Sequence, residues 1–100
     1  MDTLTTHMVS PETGYAIVMA RRALDRANRR LKSALQNMDR LNETIKADGN
    51  GILPYTTRIY AIHRDINSAR SAIYRWESKL LSLGVDVYME RLNSIMLNVD

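Results

Sequence analysis

The chain has 100 residues, no cysteine and a formal net charge of +3. That length is one domain with a modest core and a thin stability margin. Disulfides, thiolate metal sites and cysteine nucleophiles are excluded, and nothing calls for an oxidising compartment. The longest unbroken apolar run, Tyr15 to Ala20, is six residues, far short of the roughly 20 that span a bilayer. No basic region precedes it and it is too short for the core of a signal peptide, so the expectation is a cytoplasmic protein with no membrane contact. Scarce glycine and proline beside abundant alanine, leucine, arginine and asparagine is helix composition.

Residues 1–9 are expected to be a frayed arm. Ser10, Pro11 and Glu12 then form a helix start: a side-chain oxygen to cap free amides, a proline already at helical φ, and an acid at the positive end of the dipole. Ile17, Ala20, Leu24, Ala27, Leu31, Ala34, Met38, Leu41 and Ile45 step alternately by three and four, a heptad seam without a fault. Asp48-Gly49-Asn50-Gly51 ends it, because its glycines and asparagine supply positive-φ positions. The first helix is predicted at about 11–47.

Pro54 can open a second helix in its first turn, where its missing amide costs nothing. The seam resumes through Tyr55, Ile59, Ile62, Ile66, Ala69, Ile73, Trp76, Leu80 and Leu83, predicting a helix at about 54–83 that Gly84 terminates. Two long helices joined by a tight link run antiparallel, and folding the chain about Asn50 pairs positions whose numbers sum to about 100. In that register Trp76 faces Leu24 between Ala20 and Ala27, two small residues making room for one indole.

Asp86 can cap a third, shorter helix, about 86–99. Nine of its fifteen residues from Val85 to Val99 are apolar. Val85, Tyr88, Leu92, Ile95 and Val99 form a seam that can close over the open end of the hairpin, while Met89, Met96 and Leu97 fall on a second face. A helix apolar on two sides is buried on two sides, which predicts a homodimer with Tyr88, Met89, Leu92, Met96 and Leu97 in its interface. The fold expected is therefore all-α: one domain over residues 1–100, a long antiparallel coiled-coil-like hairpin with a short third C-terminal helix.

The seam leaves little room for catalysis, since an active site needs convergent polar groups in a pocket. No Glu-x-x-His pair marks a di-iron bundle, and His7 and His63 have no second ligand at helical spacing. The Gly49-Asn50-Gly51 turn lacks the lysine and hydroxyl of a phosphate loop. The expectation is a protein without enzymatic activity, cofactor or metal.

Charge is unevenly placed. Residues 21 to 32, RRALDRANRRLK, hold six basic side chains and one acid, so +5 of the overall +3 lies here and the remainder carries −2. Leu24, Ala27 and Leu31 pass through this stretch, so one side of it is committed to the second helix, and it cannot enter a DNA groove as a naked basic helix. Arg22, Arg26, Arg29 and Arg30 share the outward side at i, i+4, i+7 and i+8. They could pair with this protein's own acids (Asp25, Glu77, Asp86, Glu90), meet an acidic protein surface, or follow phosphates. Tyr60 and Tyr74 stand two heptads apart on an outer side of the second helix, with Asn67 between them, a second candidate contact row.

Gly84-Val85-Asp86-Val87-Tyr88, following a helix that carries Trp76, together with the terminal Val99-Asp100, resembles the C-terminal end of a small all-helical family of phage anti-CRISPR proteins that inhibit type I-E systems. The likeness covers about a quarter of the chain. It implies a phage or prophage product in the bacterial cytoplasm, dimeric, which occupies a component of the interference machinery. The reading that results is a non-enzymatic inhibitor or adaptor, phage-encoded, binding a protein partner with an acidic surface in a bacterial defence system such as CRISPR-Cas. A nucleic-acid binder using the arginine row, or a purely structural hairpin, are the alternatives.

Overall fold

The computed structural model describes residues 10–87. Among these the chain is all-α: helix α1 (Pro11–Asp48), a 3-10 turn (Leu53–Tyr55) and helix α2 (Thr56–Ser82). The frayed arm and all but the first residues of the third helix lie outside the described residues.

Both helices begin and end through local chemistry. The Ser10 hydroxyl accepts the Thr13 backbone N–H at 3.1 Å, and Pro11 follows in the first turn. Gly49 ends α1 in the left-handed region at φ 74°, its N–H bonded to the Ile45 carbonyl at 3.1 Å. Pro54 does not open α2 directly, as the sequence suggested. It sits in the 3-10 turn, where the Tyr55 N–H reaches the Ile52 carbonyl at 2.8 Å, and the α-helix starts two residues later at Thr56. A tight i to i+3 turn is what lets the chain reverse within the few residues available. At the far end Gly84, at φ 89°, gives its N–H to Leu81, and Val85 gives its own to Leu80, the paired bonds of a Schellman cap.

α1 and α2 pack on each other, and their contacts run in opposite order. Ala20, near one end of α1, is clustered with Leu80 near the end of α2. Arg30 donates from Nη2 to the Ser68 Oγ at 3.1 Å, and Met38 and Ile45 share a groove with Ile59. Leu24 and Trp76 pack against the same Ala20–Leu80 cluster.

The seam is not buried evenly. Ala20, Ala27, Ala34 and Leu41, seven apart, are buried, whereas Ile17, Leu24, Leu31, Met38 and Ile45, also seven apart, stay half-buried. Ten apolar side chains are buried among the described residues, and six are alanine: Ala20, Ala23, Ala27, Ala34, Ala69 and Ala72. Small residues at the contact line let two helices approach closely, and the larger residues beside them are then displaced to the flank. Two helices alone cannot cover that flank.

Val85 is half-buried and Val87 is 4% exposed, packed with Ala20 and Leu80. The sequence reading had assigned Val85 but not Val87 to the seam. The Schellman turn redirects the chain, and both valines reach the Ala20–Leu80 cluster, while the remaining residues of the third seam lie outside the described residues.

Candidate functional site

The helix pair has two faces, one on each side of the seam, and they differ in chemistry. On the first, Arg30, Ser33 and Asn37 of α1 and Asp65 of α2 border a shallow depression of about 250 Å³. Asn37 also borders its neighbour of about 330 Å³, where Arg40 meets Arg58 across the seam. The two depressions are thus one surface. Arg26 and Arg22 stand one and two turns before Arg30 on the same side of α1, and Arg29 lies beside them. All four predicted arginines are exposed.

Arg29 reaches back from Nε to the Asp25 backbone carbonyl at 3.5 Å, and Arg30 bonds Ser68. Of the acids weighed in the sequence as partners for this row, Glu77 and Asp86 are themselves engaged, and Glu90 lies outside the described residues. A row of guanidinium groups, each with five fixed donors, is left facing outward.

Arg40 and Arg58 extend this surface and were missed in the sequence. Arg58 is 28 positions from Arg30 and comes beside Arg40 only through helix packing. The signal was present in the register, because 40 and 58 sum to 98, close to the predicted pairing.

The second face is more apolar than the first. Met38, Asn42, Ile45 and Lys46 of α1, Ile52, and Ile59 and His63 of α2 line a groove of about 500 Å³, rimmed by a lysine. Met38 follows Asn37 in sequence but is turned about 100° around the helix, which carries it to the other side of the seam. Leu35, 42% exposed, continues the row one turn before Met38. Tyr60 and Tyr74 are 71% and 75% exposed, and Leu81 extends their heptad row by one more step at 42%. Of the predicted contact residues, Arg30 borders the first depression, and Tyr60 and Tyr74 line neither the depressions nor the groove. Tyr88, Met89, Leu92, Met96 and Leu97 lie outside the described residues.

The described residues hold no buried polar or charged side chain and no group of three or more His, Asp or Glu placed to hold a metal. His63 is exposed at the rim of the apolar groove, and His7 is outside the described residues. No described helix is long and apolar enough to cross a membrane. Compared with protein-family models, curated proteins and solved structures, the chain matches none.

Proposed function

We propose that the chain is an antiparallel, coiled-coil-like helical hairpin that acts without catalysis, as an inhibitor or adaptor docking on an acidic surface of a protein partner. The observation that carries this reading is the exposed row of Arg22, Arg26, Arg29 and Arg30, with Arg40 and Arg58 exposed beyond it. Arginine grips carboxylates with two parallel hydrogen bonds, and its weak hydration makes it the cation best suited to an interface. The opposite order of contacts along α1 and α2 supports the antiparallel arrangement. The resemblance of residues 84–88 to anti-CRISPR proteins supplies the class of partner: a component of a bacterial defence complex, met in the host cytoplasm by a phage-encoded protein.

The test is phage plating on a bacterium immune through a type I-E system. Expression of the wild-type chain restores plaques, and the double variant Arg26→Glu with Arg30→Glu loses that effect while keeping its helix content. Absence of rescue by the wild type removes the defence partner from the proposal. Affinity capture from the host lysate then tests the interface itself: a partner held equally well by wild type and by the charge-reversed variant removes the arginine face.

The same face favours a second reading, contact with a phosphate backbone, because Arg22, Arg26 and Arg30 repeat about every 6 Å along the helix. Phosphate binding weakens steeply with salt, and Arg22→Ala with Arg29→Ala would lower the salt slope by about one unit each. A lack of any mobility shift with DNA or RNA at low salt removes this reading.

A further inference from the structure

We propose that the depression between Arg40 and Arg58 takes an acidic peptide segment of the partner, with one apolar side chain seated on its floor and carboxylates on either side. This rests on the reading of the arginine face as a docking surface for an acidic protein, and names what that surface grips.

The depression is amphipathic. Leu41 of α1 is buried and Ala61 and Ile62 of α2 are half-buried, so these three form its floor, while Asn37, Arg40, Thr44 and Arg58 stand exposed around them. The Thr44 hydroxyl gives its proton to the Arg40 carbonyl at 3.0 Å. The rim's remaining donors are the two guanidinium groups and the Asn37 amide.

Charge complementarity sets the sign of the occupant. Two arginines and no acid line this depression, whereas its neighbour sets Asp65 against Arg30, and the groove on the other face has Lys46 with His63. Of these three concavities it therefore attracts an anion most strongly. Each guanidinium can grip one carboxylate through two parallel hydrogen bonds. Because Arg40 belongs to α1 and Arg58 to α2, carboxylates on both sides of a central residue match them.

Arg58 is also positioned in advance. It lies over the Tyr55 ring, 5.9 Å from its centre, and the Tyr55 hydroxyl is bonded to Asp48 at 3.0 Å. A guanidinium resting on a ring keeps its in-plane N–H groups for another partner, and it loses less side-chain freedom when that partner binds.

The apolar floor decides the class of the anion. A phosphate backbone brings only charge to it, and no aromatic side chain lines the depression for a base to stack on. A peptide brings both parts: an apolar residue covers Leu41, Ala61 and Ile62, and its acidic neighbours meet the arginines.

The experiment titrates the isotopically labelled full-length chain with short synthetic peptides and follows its backbone amides by NMR. The first peptide places one leucine between glutamates in a neutral glycine and serine sequence; the second has serine for the leucine, and the third has glutamines for the glutamates. The first is expected to shift the amides of Leu41, Ala61 and Ile62 to saturation, and the other two to bind more weakly by about tenfold. Arg40→Gln with Arg58→Gln is expected to weaken the first peptide by about tenfold as well. The altered peptides leave the protein untouched, so their results stand even if the double variant fails to fold.

Equal binding of the leucine and serine peptides overturns the proposal, because charge alone would then suffice. So does binding that the Arg40/Arg58 change leaves intact, an absence of saturable binding by the first peptide, or an oligonucleotide that moves the same amides at lower concentration. Shifts confined to Arg22 through Arg30 would remove this depression and leave the acidic-surface reading standing. Failure of the wild type to rescue plaques would remove the defence partner and leave the peptide result unchanged.

Discussion

The Tyr55 hydroxyl donates a 3.0 Å hydrogen bond to Asp48 Oδ2, tying the residue just before α2 to the last residue of α1. The other oxygen of the same carboxylate accepts from Asn50 Nδ2 at 3.1 Å, and Arg58 lies 5.9 Å from the centre of the Tyr55 ring. The turn is thus held by side chains as well as by its glycine. The hydrogen bond to the Asp48 carboxylate, with some desolvation and the carboxylate's charge, raises the Tyr55 phenol above its ordinary value of 10.0, and Arg58 opposes the rise.

A phenol whose folded value is raised contributes stability below its unfolded value, and that contribution disappears as pH climbs through the folded one. The wild-type chain is therefore expected to lose melting temperature above about pH 10 by more than Tyr55→Phe does. Thermal denaturation of both proteins between pH 8 and about pH 11.5 reads the difference. Parallel curves would show that the Tyr55–Asp48 bond contributes nothing to the turn.

Ala27 is 2% exposed on the line where the helices meet. Ala27→Leu forces three extra carbons beyond the volume that the close approach of α1 and α2 allows. A destabilisation of about 1 to 3 kcal/mol is expected from overpacking, read by urea denaturation. A variant as stable as the wild type would mean that the helices can separate there at no cost.

Leu80, fully buried, joins Ala20 and Val87 where the chain turns past Gly84. Leu80→Ala is expected to cost about 2 to 5 kcal/mol, the range for a cavity that collapses incompletely. Val87→Ala is expected to cost less, since fewer carbons are removed. Equal small effects for both would place this cluster outside the cooperative core.

Gly49 holds φ at 74°, and nothing lies within 4 Å of the position a Cβ would occupy. Gly49→Ala therefore meets no neighbour and carries only the backbone penalty of the left-handed region, about 1 kcal/mol. Equilibrium unfolding of this one variant separates backbone strain from packing. No loss of stability would mean that the turn adopts another conformation when glycine is absent.

The candidate contact residues were only partly legible in the sequence. Exposure of Arg22, Arg26, Arg29 and Arg30 followed from their spacing, because one helix sets which side chains face away from its own seam. That Arg40 and Arg58 line one depression did not follow, since it depends on how α2 is rotated against α1.

By itself the sequence determined that the chain is helical and where the first helix starts and stops, but not that Ala23 and Ala72, outside the expected heptad, are buried. Ser10, Pro11, Gly49 and Gly84 act on backbone groups within one turn, and a three-four spacing of apolar residues survives any choice of partner. Pro54 marks the limit of local reasoning, because the reversal needed a 3-10 turn before the helix could begin. Only the tertiary structure decided which half of the seam is buried. The alanines at the contact line draw the helices together, and the larger Leu24, Leu31, Met38 and Ile45 are left on the flank. A heptad pattern treats the two halves alike, whereas the distance between helices does not, and that distance is a property of both helices at once.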